Sequence, residues 1–140
     1  MTLYLDTSVF VALLTDDLFT ARAESYFRDN TESIIVSDFG AVEYASVLAR
    51  RVRTRVITRE EARESFSAFD VWRTRTSQRA EINTSDLALA EAWLRRLDIA
   101  LRTFDAVHLA IAQRLGATLV TFDRQMAASA RALGTPVETP

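Results

Sequence analysis

Three very short apolar runs set among long stretches of helical character constrain this chain most. Leu3–Leu5, Ile34–Val36 and Thr118–Thr121 are each only three or four residues long. Runs so short, apolar throughout and without polar alternation, read as strands buried on both faces. Between them lie helix signals. Ser8 is placed to cap Val9–Leu14, and a second helix is expected over about Phe19–Arg28. Ser37 and Asp38 announce a helix to about Arg51, with Asp38 most simply its N-cap. Thr58 and Glu61 form a capping-box pair heading a helix to about Arg73. Thr84 or Ser85 is expected to cap a helix reaching Leu97, with Asp86 as its helix-start acid. Thr103 opens another to about Leu115, and Gly116 is a plausible stop. The last runs from about Arg124 to Leu133, stopped by Gly134. Strands alternating with longer helices predict an α/β fold, a three-layer α/β/α domain with a central, mainly parallel sheet. The whole chain, 1–140, is expected to be one domain.

Composition then narrows the chemistry. All 17 basic residues are arginine; lysine and cysteine are absent, and His108 is the one histidine. Schiff-base, P-loop and thiol chemistry are excluded, as are cysteine-ligated metals and a His-rich metal site. No apolar run is long enough to span a bilayer. The N-terminus lacks the pattern of a signal peptide, so a cytoplasmic location is expected. A formal charge of −2 argues against electrostatic coating of nucleic acid. What remains abundant is carboxylate, hydroxyl and guanidinium.

Four acids stand out by position. Asp6 and Asp123 each follow the end of a strand, where ligands bind in open parallel sheets. Glu43 and Asp105 lie near helix starts in apolar company, within Phe39-Gly40-Ala41-Val42-Glu43-Tyr44-Ala45 and Phe104-Asp105-Ala106-Val107-His108-Leu109-Ala110. An uncompensated carboxylate there costs several kcal/mol. Without lysine, the compensating group is an arginine, a helix N-terminus or a metal ion. Converging carboxylates are a usual way to hold Mg²⁺ or Mn²⁺, hard cations that prefer oxygen and can activate water against a phosphoryl group. Their separations of 37, 62 and 18 positions are weakly specific.

The local strings are more specific. Asp6-Thr7-Ser8-Val9 after the first strand, Glu43 in an apolar helix, Phe104-Asp105-Ala106-Val107-His108-Leu109-Ala110, and Thr121-Phe122-Asp123 resemble PIN-domain ribonucleases. In length and order they are most similar to the VapC toxins of type II toxin–antitoxin pairs, from Asp6 through the closing strand near Val137. The resemblance implies a PIN-like fold and an acidic pocket for Mg²⁺ or Mn²⁺. It implies endonucleolytic hydrolysis of RNA leaving 3′-hydroxyl and 5′-phosphate ends. It also implies a cognate antitoxin protein and a homodimer, while the lack of a spanning run leaves no membrane partner expected. Carried over, Asp6, Glu43, Asp105 and Asp123 match the catalytic, metal-binding quartet, whose fourth member varies most in the family. Thr7 or Ser8 matches the supporting hydroxyl.

Other readings compete. A haloacid-dehalogenase-type phosphatase or a receiver domain also places an acid after its first strand. Both use a lysine near the acids, and the phosphatase needs a second Asp where Ser8 stands. A catalytically silent PIN-like module that binds RNA or a partner is the main alternative, and the intact quartet speaks against it. His108, three residues after Asp105 and able to touch it, reads first as a packed, hydrogen-bonded core residue. Arg50, Arg51, Arg53 and Arg55 lead an arginine cluster extending to Arg63. It reads equally as a phosphate track for RNA and as a solvated surface paired with Glu60 and Glu64.

Overall fold

Leu3, Tyr4 and Leu5 of the first strand, β1 (Thr2–Leu5), are all buried although successive side chains leave opposite faces of a sheet. Leu3 and Leu5 join one apolar cluster and Tyr4 the other. The sheet is therefore covered on both sides. The computed structural model describes residues 1–140. After β1 come α1 (Thr7–Leu14), α2 (Thr20–Phe27), β2 (Ser33–Ser37), α3 (Asp38–Arg53), α4 (Arg59–Thr76) and β3 (Ser77–Ala80). Then follow α5 (Thr84–Arg95), α6 (Thr103–Arg114), β4 (Thr118–Val120), α7 (Arg124–Ala132) and β5 (Val137–Glu138).

The five strands lie in the order β3-β2-β1-β4-β5, and every pairing is parallel. One core holds Val9, Phe10, Tyr44, Leu48 and Phe69 from α1, α3 and α4 against Leu3, Leu5, Val36 and Val120. The other holds Ala90, Trp93, Leu109, Ile111 and Met126 from α5, α6 and α7 against Tyr4, Ile35 and Leu119. This is the expected three-layer arrangement, and its sheet is wholly rather than mainly parallel. None of its helices is long and apolar enough to cross a membrane.

The expected helix starts hold in part. Thr58 and Glu61 close the capping box of α4. Gly116 and Gly134 adopt φ of +60° and +73° just beyond α6 and α7, the left-handed conformation that ends a helix at little cost. Three starts differ. Helix α1 begins at Thr7 with Asp6 at the cap position, so Ser8 lies inside it. Asn83, not Thr84 or Ser85, caps α5, and that helix ends at Arg95 before Leu97 turns to φ +61°. Arg102, not Thr103, precedes α6, without a side-chain cap. Ser37 caps α3 through Gly40 N at 3.0 Å, which leaves Asp38 to bind Arg73 and Arg79. The strand β3 was not expected: as a sheet edge it is polar, and it carries no apolar run.

Candidate active site

Strand order places the site. The chain steps outward from β1 to β2 and β3, then returns to the other side of β1 for β4 and β5. Connections therefore diverge between β1 and β4, opening a crevice at the carboxyl ends of those strands. Asp6 stands there, its backbone N–H donating to Val120 O at 3.2 Å. Its carboxylate is buried and accepts from Ser8 Oγ at 2.6 Å and from Thr121 Oγ1 at 3.0 Å. Ser8 Oγ in turn accepts from Phe122 N, so both strand ends hold the hydroxyl that holds Asp6. Burial pushes the Asp6 carboxyl up to about 6, against the opposing charge of His108 and the two hydroxyl bonds. No arginine pairs with it.

Glu43, in the second turn of α3, receives Thr7 Oγ1 at 2.5 Å and is hydrogen-bonded to His108 Nε2. His108 Nδ1 meets Tyr4 Oη at 2.7 Å, and Tyr4 Oη meets Ser37 Oγ at 2.8 Å. With the carboxylate as acceptor, Nε2 donates; in the neutral imidazole Nδ1 then accepts from the tyrosine and the tyrosine from the serine, whereas the imidazolium donates at both nitrogens. The Phe39 ring packs on the imidazole, centroids 4.9 Å apart. Burial raises the Glu43 carboxyl, but His108, Thr7 and the charge of Arg102 outweigh it and leave it below its ordinary value. His108 is thus the buried, hydrogen-bonded residue expected, and its partner is Glu43 rather than Asp105.

Asp105 and Asp123 share one guanidinium. Arg102 Nε donates to Asp105 Oδ2 at 2.8 Å and Arg102 Nη2 to Asp123 Oδ2 at 2.5 Å. Burial nonetheless raises the Asp105 carboxyl, outweighing Arg102. At Asp123 burial also pushes upward, but the Met126 N–H bond and Arg102 bring the carboxyl below its usual range. Asp123 caps α7, its Oδ1 accepting from Met126 N at 3.0 Å.

All four predicted acids therefore meet at one edge of the sheet, joined by hydroxyls and Arg102. Both candidate hydroxyls are used: Ser8 supports Asp6, and Thr7 supports Glu43. The donors are all hard oxygens, and one oxygen each of Glu43 and Asp105 has no partner within the protein. That donor set suits Mg²⁺ or Mn²⁺. As the side chains lie, no three of them form a group enclosing one cation; two of them are hydrogen-bonded to Arg102. Thr121, Tyr4 and Arg102 had no assigned role, although Thr121 lies within a quoted motif. The cluster Arg50, Arg51, Arg53 and Arg55 is not brought to the acids. It sits at the far end of α3, at least seven residues or about 10 Å of helix beyond Glu43, and Arg51 is tied to Thr15 and Asp17. A cavity of about 420 Å³ lined by Leu13, Phe27, Ile34 and Trp72 includes none of the four acids.

The PIN domain family model matches residues 3–132. The chain belongs to the PIN domain family. Ribonuclease VapC3 of Pyrobaculum aerophilum is 26% identical over 136 residues, covering 97% of this chain and all of the relative. VapC20 of Mycobacterium tuberculosis, a sarcin-ricin loop cleaving toxin, superposes with a TM-score of 0.74 at 20% identity, covering 91% of this chain and 94% of that one. VapBC of Salmonella typhimurium, solved bound to DNA, gives 0.73 at 16% identity, covering 99% and 98%. These likenesses confirm the PIN fold.

Proposed function

We propose that this PIN domain is a Mg²⁺- or Mn²⁺-dependent endoribonuclease and the toxin of a toxin–antitoxin pair. The observation that carries this reading is Asp6: a carboxylate buried at the crevice between β1 and β4, held by hydroxyls, with no arginine beside it. A buried acid so placed gains most from a cation brought from outside. The full-length likeness to a VapC ribonuclease supports RNA as substrate, and the VapBC neighbour supports an antitoxin partner. Asp6, Glu43, Asp105 and Asp123 would hold the metal, which supplies charge neutralisation at the phosphate and a more acidic attacking water.

The chain's own residues do the positioning. Ser8 and Thr121 fix both oxygens of Asp6, so it meets a ligand without reorganising. The Ser37–Tyr4–His108 relay fixes the rotamer of Glu43 and leaves its second oxygen free to orient a water or the metal. Arg50, Arg53 and Arg55, exposed and without ion-pair partners, offer a path for flanking phosphates along α3. A homodimer and a cytoplasmic setting complete the reading.

The test is induction in a host, with sequencing of newly created RNA 5′ ends. New ends carrying 5′-phosphate should appear with the wild type, and co-expression of the cognate antitoxin should remove them. Asp6→Asn should produce none. Cleavage by Asp6→Asn, or cleavage by the wild type in EDTA, would sink the reading.

A further inference from the structure

Arg102 is the one arginine bonded to any of the four acids, and it holds two of them at once. It is also poorly held. Its side chain is 58% exposed, whereas that of Arg114, bound to the buried Asp86, is 28% exposed. Arg102 caps nothing with its side chain, and its backbone precedes α6 in extended conformation. An exposed monovalent pair competes weakly for two carboxylates against a divalent cation.

We infer that Arg102 is an internal counter-ion of the acidic centre, which gives up Asp105 and Asp123 to a divalent cation and then binds a phosphate of the incoming RNA. This rests on the nuclease reading above. While the acids are unloaded, Arg102 lies between Asp105 and Asp123 and offsets their mutual repulsion. Once released, its guanidinium stays tethered three residues before Asp105. A phosphate drawn to the centre therefore falls within its reach, and its planar fork of donors matches phosphate oxygens. The residue thus serves the empty centre and the loaded centre through different partners.

The test uses metal-stripped protein in four forms: wild type, Arg102→Ala, Arg102→Lys and Asp105→Asn. Mn²⁺ binding is read by electron paramagnetic resonance. Affinity for a short labelled RNA of mixed sequence is read by anisotropy at saturating Mn²⁺. Arg102→Ala should bind Mn²⁺ about three- to tenfold more tightly and RNA about tenfold more weakly. Arg102→Lys, which keeps the charge without the fork, should bind Mn²⁺ as the wild type does and RNA with intermediate affinity. Unchanged or weaker Mn²⁺ binding in Arg102→Ala, at an unchanged melting temperature, would make Arg102 a tether for the acids and overturn the counter-ion role. Unchanged RNA affinity would overturn the phosphate role. Failure of the parent reading looks different: the wild type itself would bind no Mn²⁺, and Asp105→Asn would match it.

Discussion

Asp6 sits among Ser8, Thr121 and apolar neighbours, and burial moves its carboxyl from the ordinary 3.8 to about 6. The folded state therefore holds a proton that the unfolded chain has already released. The stability this group contributes is complete below about pH 3.8 and is lost as pH rises through about 6. At neutral pH the loss approaches about 3 kcal/mol. Asp6→Asn, of equal size, should then be more stable than the metal-free wild type at pH 8 by up to that amount. The gap should close toward pH 4. Melting curves in EDTA across that range check it, and the shifts of Glu43 and Asp123, common to both proteins, cancel in the difference. Equal stability at pH 8 would mean that burial of this charge is compensated. Tyr4 poses a different case, since its hydroxyl links Ser37 to His108 inside the core. Tyr4→Phe should cost about 1–2 kcal/mol by leaving those partners short of a bond, read as a lower urea midpoint at unchanged slope.

Helix termini do two kinds of work here. The capping box of α4 satisfies backbone donors far from the acids. Thr58→Ala should lower stability by about 1 kcal/mol and leave RNA cleavage unchanged. The start of α7 is used twice, because Asp123 caps the helix through Oδ1 and offers Oδ2 to Arg102. Two substitutions separate these uses. Asp123→Asn keeps an acceptor for Met126 N and loses the charge; Asp123→Ala loses both. Both should impair cleavage, but only the alanine variant should lose about 1 kcal/mol of stability. Equal melting temperatures for the two would show that the cap contributes nothing. Capping residues were readable where a hydroxyl stood three residues before a glutamate, as at Thr58. They were misread at Asp6 and Arg102, whose side chains turn from their own helix ends toward the crevice.

The whole molecule behaves as a scaffold that gathers charge at one edge of a sheet. Four acids from four parts of the chain end in one crevice because β1 is central and β4 returns beside it. Such a centre is most stable when loaded. Mg²⁺ or Mn²⁺ at a hundredfold excess over its dissociation constant should stabilise the fold by about 2.7 kcal/mol. The melting temperature should rise accordingly, EDTA should reverse the rise, and Asp6→Asn should show little of it. A wild type whose melting temperature ignores both metals would contradict the metal site.

Short apolar runs, their alternation with helices and the strings around Asp6, Glu43, Asp105 and Asp123 were all present in linear form. Layered architecture follows from the runs and their alternation, since strand burial and helix period are local properties of neighbouring residues; the four acids were singled out by the resemblance their strings carry. The edge strand β3 was hidden, because a polar tetrapeptide becomes a strand only when β2 is there to pair with it. Partnerships across 65 or 104 positions, Glu43 with His108 and Tyr4 with His108, have no local signature. The same holds for Arg102, which looked like one arginine among 17. Its two carboxylate partners come together only when α6 and α7 begin side by side at the crevice. Residue types set which chemistry is possible; the distances that join them depend on strand order and helix docking, which no single segment encodes.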